Sequence, residues 1–490
     1  MESSFHTLLI SSPCERLRFN LSGIYPVPRI GLGILSNFLK QNGFTNTHII
    51  DLVAEKMSIK DFIFYLKNTM QPQIIGISTT ILSMRETFTL ARTIKKHFPH
   101  IFIVVGGPGI SFRKETLFKY ATSGIDFFIR GEGEFALLKL VQELNQNTFN
   151  FASIPNLIWK DKNNETINII ENETAPFRDL NDGIEVDYQA LPMKKYGIHP
   201  PMGAFPPATM VETARGCSFD CAFCCLTNKK VRFKNPHLVE KEIIYLQKNF
   251  SIKEIHFIDP TFTLNYERCQ ELCQRLIKLK IHWSCKTRVD CVDSKLLYMM
   301  SQSGCYHIAF GVESGDNSVL ESLNKGHHND KAIEAFKWCR YHKIRSSAYL
   351  TIGNPHENDY IVNHNIKFIK KLNPDYILYS ILWPDPKSIM TQNGILNKQF
   401  THADVEQFYL GNHPGSNANI SCYFDNYSLA GIPTVQIEKW LKQLSKSFYL
   451  RPSYFLSRLI DIRSYHDILN LIIGGKYFLK DLYIQQTSPM

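Results

Sequence analysis

The chain has 490 residues, of which 44% are hydrophobic and 20% charged, and it carries a formal net charge of +10. Those proportions describe an ordinary globular protein with room for about three domains at roughly 150 residues each. No apolar run approaches the roughly 18–20 residues of a membrane helix, and no block of Lys and Arg marks a nucleic-acid groove, so a helical membrane span and a nucleic-acid partner are both excluded from the expectation.

The opening stretch "MESSFHTLLISSPCERLRF" has a short apolar run preceded by an acidic residue and no basic region, so it reads as a first strand and not as a signal peptide. A cytoplasmic location is therefore expected. There cysteines stay reduced, and a cluster of them signals metal or chemistry more than disulfides. Strands are predicted at 5–12, 47–53, 74–78, 101–107 and 124–130. Helical patterns lie between them. In 28–44, Ile30, Ile34, Leu35 and Phe38 recur at helical spacing and Gly43 closes the run, and "MRETFTLARTIKKHF" is amphipathic. Five strands alternating with helices over 1–150 predict a doubly wound parallel sheet, a Rossmann-like α/β domain. Such sheets bind ligands beyond the carboxyl ends of their strands. Ser78, Thr79, Gly106 and Gly107 fall there, as does "RGEGE" at 130–134 with Glu132 and Gly133. Small residues let a bulky ligand approach the backbone; tight strand-to-helix turns explain them equally well.

Residues 151–205 read as a connector. It holds a hairpin over 157–170 around an Asn-Asn turn, then chain rich in proline: Pro176, Pro192, Pro200 and Pro201, with Pro206 and Pro207 at its end. Residues 206–390 repeat the strand–helix alternation six times, with strands near 208–214, 253–258, 282–288, 306–312, 346–352 and 375–382. That pattern predicts a partial (β/α)6 TIM-like barrel whose site lies at the carboxyl ends of the strands. Residues 391–490 are expected to form a mainly helical cap. Their last part, 434–490, is aromatic and mildly basic, and reads as a packed cap or, alternatively, as a lid over a greasy substrate or a contact with a membrane surface.

Four of the 12 cysteines crowd into "ETARGCSFDCAFCC", directly after the first barrel strand. Cys217, Cys221 and Cys224 stand at a spacing that lets three thiolates converge from one short loop. Four-iron clusters normally take four cysteines, and three leave one metal position open, as catalytic metal sites do. Zinc is the rival, but a structural zinc site needs a second ligand pair some 12–20 residues on, and none follows. Cys225 points away from Cys224 as adjacent side chains do, and is read as a bystander. Cys269 and Cys273, at i and i+4 beside Leu272, Leu276 and Ile277, read as core. Only Cys339 and Cys422 lie beyond 305, which leaves no second cluster there. His327 and His328 fall in a polar turn and are expected to be solvated.

"CSFDCAFC" matches the CxxxCxxC signature of radical S-adenosylmethionine enzymes. The flanking "RGC", "FIDPTFT" (257–263), "TRVD" (287–290), "FGVESG" (310–315) and "TIGNPHEN" (351–358) agree with it. "GIYPVPRIGLGILSNFLKQNGF", "VVGGPGISF" and "IRGEGEFALLKL" resemble the cobalamin-binding domain fused to that barrel in the class B methyltransferases and their relatives, and "FYLRPSYFLSRLIDIRS" (448–464) resembles a C-terminal region shared with anaerobic magnesium-protoporphyrin ester cyclases. The resemblance implies a [4Fe–4S] cluster on Cys217, Cys221 and Cys224, with S-adenosylmethionine on the fourth iron. It implies Phe223 at the adenine, Glu313 and Ser314 at the ribose or methionine end, Arg288 on the carboxylate through its planar fork, and Asp259 and Glu357 as further contacts. The stretch Gly353–Glu357 departs from the family's Pro-Gly-Glu, with His356 in place of a glycine.

For cobalamin, the resemblance implies Ser78, Thr79, Gly106 and Gly107 along the nucleotide tail and Glu132 with Gly133 near the corrin edge. No DxHxxG motif occurs, so no histidine of that motif is expected below the cobalt. The implied activity is reductive cleavage of S-adenosylmethionine to a 5′-deoxyadenosyl radical and methylation of an unactivated carbon via methylcobalamin. The alternatives are a radical oxidative cyclisation or rearrangement, with or without cobalamin, and a noncatalytic corrinoid or iron–sulfur sensor. A flavodoxin or ferredoxin is the expected electron donor. The substrate class (small molecule, lipid or peptide), the oligomeric state and any residue acting directly on substrate are not legible.

Overall fold

The computed structural model describes residues 4–13, 26–120, 124–163, 166–198, 202–226, 229–382, 384–410 and 430–487. Asn164 of the expected hairpin turn, Pro200, Pro201 and Cys422 lie outside them. The chain divides into two compact units, Met1–Tyr196 with Phe400–Ser421, and Gly197–Gln399 with Cys422–Met490.

The first unit is built on β1 (Thr7–Ser11), β2 (Thr47–Ile50), β3 (Ile74–Ser78), β4 (Phe102–Gly106), β5 (Phe127–Ile129), β6 (Leu157–Asn163) and β7 (Thr166–Glu171). Its seven-stranded sheet runs in the order β2-β1-β3-β4-β5-β6-β7. The first five strands pair in parallel, with β1 and β3 aligned from Thr7↔Ile74 to Ser11↔Ser78. Helices α1 (Ile30–Gln41), α2 (Ile59–Asn68), α3 (Met84–His97), α4 (Lys114–Tyr120) and α5 (Glu134–Gln146) connect them. Local sequence explains the helices. Ser58 and Asp61 close a reciprocal capping box on α2, and α3 buries Met84, Phe88, Leu90, Ala91 and Ile94 along one stripe. Leu8, Ile74 and Ile103 are wholly buried within the sheet, as strands covered on both faces must be. The order 2-1-3-4-5 places the topological switch between β1 and β3, where doubly wound sheets open a crevice for ligand.

The hairpin read as a connector belongs to this sheet. β6 pairs antiparallel with β5 from Phe127↔Trp159 to Ile129↔Leu157, and β7 continues from β6. An antiparallel edge strand on an otherwise parallel sheet is a common extension.

The second unit holds β8 (Ala208–Val211), a short ladder of β9 (Ala214–Arg215) and β10 (Arg232–Phe233), then α6 (Pro236–Phe250), β11 (Glu254–Phe257), α7 (Tyr266–Leu279), β12 (His282–Arg288), α8 (Ser294–Gln302), β13 (Cys305–Glu313), α9 (Asn317–Ser322), α10 (Asn329–Tyr341), β14 (Arg345–Ile352), α11 (Asp359–Leu372) and β15 (Tyr376–Ile381). Six parallel strands run in the order β15-β14-β13-β12-β11-β8, the open barrel that the alternation predicts. Alternation sorts the side chains. Trp283, fully buried, meets Phe257 edge-on and Phe262 at a tilt, and Cys269, Cys273 and Leu276 of α7 are buried as core. On the other register of the strands, His256 meets Ser284 at 2.9 Å and His307 meets Ser347 at 2.8 Å, a buried polar layer low in the barrel.

Beyond β15 come α12 (Ile389–Leu396), α13 (His402–Leu410), α14 (Thr434–Tyr449), α15 (Pro452–Ile460) and α16 (Tyr465–Thr487). These do not form one cap. α13 groups with the first unit, where Thr116 donates to the Glu406 carboxylate at 2.5 Å and Arg113 reaches it at 3.3 Å. The helices α15 and α16 are tied to the amino ends of the barrel strands. Arg345, the first residue of β14, binds Asp461 at 2.6 Å and Asp467 at 2.8 Å, and Ser464 donates to the Ala204 carbonyl ahead of β8 at 2.7 Å. They are therefore not a lid over the carboxyl ends. A buried arginine at the opposite end of the strands needs their carboxylates. Among the described residues no helix is long and apolar enough to cross a membrane.

Candidate functional site

The cysteine loop leaves β8 at Val211 and is fastened at its base. Asp259, wholly buried just past β11, accepts from the backbone N–H of Thr213 at 2.7 Å and of Ala214 at 2.9 Å, and from the Thr213 hydroxyl. Burial raises the Asp259 carboxyl to about 6, against those donors and the Arg268 charge. β9 and β10 then close the loop across its neck, Ala214 opposite Phe233 and Arg215 opposite Arg232.

Within the loop, Cys217, Cys221 and Cys224 are half-buried, whereas Cys269, Cys273, Cys285, Cys305 and Cys339 are buried. Backbone bonds hold the loop from two sides: Ala222 N–H to the Leu323 carbonyl and Met390 N–H to the Ala222 carbonyl, each at 2.9 Å. Burial raises the Cys224 thiol; the Leu226 N–H opposes this, and the neighbouring Cys221 and Cys217 thiols add to it. The three thiols thus share one electrostatic neighbourhood. Soft, partly exposed thiol donors carried on one loop are the donor type an iron–sulfur cluster takes, although among the described residues no three ligating side chains stand already gathered as a metal site. Cys225 is exposed and shifted up to about 11 by burial of its thiol and by the nearby Asp385 carboxylate.

Arg288, the last residue of β12, organises the next layer. Its Nε and Nη2 each donate at 2.8 Å to the two oxygens of Asp290, and Nη2 also donates to the Lys325 carbonyl. Nη1 lies 3.5 Å from the Cys221 sulfur, and the guanidinium sits over the Phe219 ring at 3.7 Å. Burial alone would raise Asp290, but this fork holds it below the usual carboxylate range. Glu313 ends β13 at a register shift with φ +64, a left-handed conformation rare outside glycine, and its carboxylate meets the buried Lys325 ammonium at 2.7 Å. Lys325 also lies 5.9 Å from the Phe223 ring centroid.

Lys325 therefore joins Arg288, Glu313 and Phe223, and Arg288 in turn reaches Cys221. Ser314 is turned inward to Asn365 Oδ1 at 3.2 Å. Glu357 caps its own turn, accepting from Gly353 N–H at 2.6 Å and Asn354 N–H at 3.0 Å, and burial raises it to about 7. His327 departs from the solvated expectation. It is buried, and lies close enough to Asp290, Lys325 and Arg288 for each to act on its charge, while His328 is exposed. Sequence reasoning missed Lys325, because a lysine in a polar turn carries no sign that a strand-end carboxylate will draw it inward. It missed Phe219 for the same reason: its ring matters only once Arg288 lies over it.

In the first unit, Ser78, Thr79, Gly106 and Gly107 gather at the carboxyl ends of β3 and β4. Thr79 is buried in a hydroxyl network, 2.8 Å from Thr87 Oγ1 and 3.1 Å from Ser83 Oγ, with Thr87 reaching Ser12 at 2.7 Å. Gly107 has φ +99, and a Cβ there would stand 2.7 Å from the Thr79 carbonyl oxygen. At Gly109 a Cβ would meet the Thr80 backbone at 2.6 Å, a second close approach that the sequence reading did not single out. Both close approaches are to the protein's own backbone and the Thr79 hydroxyl is engaged internally, so here the glycines serve tight strand-to-helix turns. Glu132 and Gly133 stand partly exposed before α5, the Glu132 carbonyl held by Asn156 Nδ2 at 3.2 Å. At the ends of β1 and β2, the buried Asp51 accepts from Ser11 Oγ at 2.6 Å and Tyr196 OH at 2.9 Å.

Residues 211–369 match the Radical SAM superfamily, and residues 23–141 match the B12 binding domain. An uncharacterized methyltransferase of Pyrococcus horikoshii is 29% identical over 472 residues, covering 94% of this chain and 95% of that protein. The anaerobic magnesium-protoporphyrin IX monomethyl ester cyclase of Rubrivivax gelatinosus is 27% identical over 376 residues, covering 74% of this chain and 66% of that one. The solved structure of the radical S-adenosylmethionine methyltransferase TsrM from Kitasatospora setae superposes with a TM-score of 0.65 at 17% identity, over 81% of this chain and 78% of that one, and so shares the fold.

Proposed function

We propose that this radical S-adenosylmethionine enzyme, which carries a cobalamin-binding domain, methylates an unactivated carbon of its substrate. The observation that carries the reading is the trio Cys217, Cys221 and Cys224, half-buried on one loop at the carboxyl end of β8, in a chain whose other domain matches a B12-binding fold. When bound, the cluster supplies the electron that cleaves S-adenosylmethionine to the 5′-deoxyadenosyl radical, and cobalamin carries the methyl group.

The chain's own residues do the holding. Cys217, Cys221 and Cys224 would take three irons, and Arg288 fixes Cys221 while Asp290 keeps its fork oriented. Phe223 and Glu313 would line S-adenosylmethionine; the Arg288 fork expected on its carboxylate is taken by Asp290, the Ser314 hydroxyl by Asn365 and the Glu357 carboxylate by its own turn, so these three would shape the site from behind. Asp259 supports this from behind, by pinning the loop at Thr213 and Ala214. The carboxyl ends of β3 and β4 at Ser78, Thr79, Gly106 and Gly107, with Glu132 and Gly133, would receive the corrinoid. Reduction needs an external one-electron donor of the flavodoxin or ferredoxin class. The near full-length likeness to a methyltransferase supports methylation. The likeness to an ester cyclase supports an oxidative cyclisation as the second reading.

The test is anaerobic reconstitution with iron, sulfide and a corrinoid, followed by iron analysis and S-adenosylmethionine turnover under reductant. About four irons per chain are expected. Alanine at Cys217, Cys221 or Cys224 should abolish the brown chromophore and 5′-deoxyadenosine formation, and Cys225→Ala should keep both. Loss of the cluster in Cys225→Ala, with survival in one of the three, would overturn the ligand set.

A further inference from the structure

The C-terminal helices carry a surface that the chemistry above does not use. α15 turns Tyr454 and Arg458 inward; Arg458 pairs with Asp375 and lies over the Tyr376 and Tyr454 rings. Its outer face carries Phe455, Leu456, Leu459 and Ile460, between 55% and 77% exposed. Positions i, i+1, i+4 and i+5 share one side of a helix, the side that a surface helix normally makes polar. On α16, Tyr465, Ile468 and Ile472 repeat the pattern at i, i+3 and i+7, and all three are exposed, as are Leu450 and Ile462 beside them. An apolar surface of this extent on a folded protein marks an interaction.

Charge indicates the partner. From 439 to 476 the sequence holds seven basic residues, of which Arg458 is turned inward to Asp375 and Arg463 is paired with Asp461, leaving Lys439, Lys442, Lys446, Arg451 and Lys476 outside those pairs, and two acidic ones, Asp461 and Asp467. Both carboxylates are engaged by arginines: Asp461 by Arg345 and Arg463, Asp467 by Arg345. The exposed Lys446 stands four residues before Leu450 and the exposed Lys476 four after Ile472, so each shares a helix face with the apolar side chains. A second copy docked face to face across a twofold axis would set this basic rim against itself. A bilayer with anionic headgroups matches both parts, taking the apolar stripe to the acyl boundary and the lysines to the phosphates.

We propose that the α15–α16 face is a docking site for an anionic lipid surface. Because α15 and α16 are held at the amino ends of the barrel strands, docking leaves the cysteine-bearing ends of the same barrel away from the bilayer.

The test is flotation of the full-length, cluster-reconstituted protein, kept anaerobic, with vesicles of phosphatidylcholine alone and of equal parts phosphatidylcholine and phosphatidylglycerol. Flotation with the mixed vesicles, little with the neutral ones, and release as salt rises from about 0.1 M to 0.5 M are expected. Leu459→Glu and Ile460→Glu should each lower partitioning about tenfold or more, since each removes one buried aliphatic contact. Val435→Glu, at an exposed apolar site on α14 outside the stripe, should leave it unchanged. All three variants alter exposed side chains and should melt as the parent does. No flotation, or flotation indifferent to Leu459→Glu and Ile460→Glu, overturns the proposal. So does a solution dimer that Leu459→Glu converts to monomer without any vesicle binding, which assigns the face to a second copy.

Discussion

Replacing Arg288 with Met removes a side chain that ties the cysteine loop to the end of β12 and, through the Lys325 carbonyl, to the turn beyond β13. The side chain is 6% exposed and Asp290 is 22% exposed. Deletion leaves Asp290 without its bidentate partner, the Lys325 carbonyl without a donor, and Cys221 without the guanidinium 3.5 Å away. Breaking a fully buried pair costs about 3–5 kcal/mol. Water reaching Asp290 reduces this to about 2–3 kcal/mol, since a partly exposed charge recovers some solvation. At roughly 2–4 °C per kcal/mol for a unit of this size, the melting temperature should fall by roughly 4–12 °C. Arg288→Lys keeps the charge but cannot make the fork and should fall between. The assay is an anaerobic thermal melt of both variants, paired with the rate of iron loss to a chelator, because a loosened loop should release iron faster. A Met variant that melts within about 1 °C of the parent, inside the scatter of a neutral surface change, and loses iron at the parental rate would refute the claim that Arg288 organises the loop.

Gly107→Ala forces a Cβ to 2.7 Å from the Thr79 carbonyl at φ +99. It should destabilise the first unit by about 1–3 kcal/mol and weaken corrinoid uptake, read by absorbance after gel filtration. His307 is held neutral, its pKa pushed down to about 3 by burial and then by the Arg345 and Arg463 charges. Its contribution is therefore complete above pH 6.5 and is lost as pH falls toward 3. At pH 5 the unfolded chain's protonated histidine costs the fold about 2 kcal/mol, so His307→Asn should flatten the decline in melting temperature between pH 7 and 5 relative to the parent. In the cob(II)alamin form no nitrogen hyperfine splitting from a histidine below cobalt is expected, since the chain lacks DxHxxG; such a splitting in electron paramagnetic resonance would contradict this.

Both sheets were legible because parallel strands alternating with helices leave a long, regular pattern. The cysteine loop was legible because its spacing alone restricts the metal. Other features arise only from tertiary pairing. β6 and β7 read as a free hairpin, since nothing local says that Phe127↔Trp159 will form. β9 and β10 are two residues each, too short to show a period. His327 reads as a solvated turn residue and Lys325 goes unnoticed until Asp290 and Glu313 draw them inward. Asp461 and Asp467 gave no sign that Arg345, more than a hundred residues earlier, would fix α15 and α16 at the amino ends of the strands.

Product analysis tests the central claim most directly. The reduced, reconstituted protein is supplied with S-adenosylmethionine labelled in its methyl group, a corrinoid and cell extract as the source of substrate. Methyl transfer predicts S-adenosylhomocysteine and 5′-deoxyadenosine forming together, with the label in a new product. 5′-Deoxyadenosine alone, with no S-adenosylhomocysteine and no labelled product, would contradict methylation and leave the cyclisation chemistry in its place.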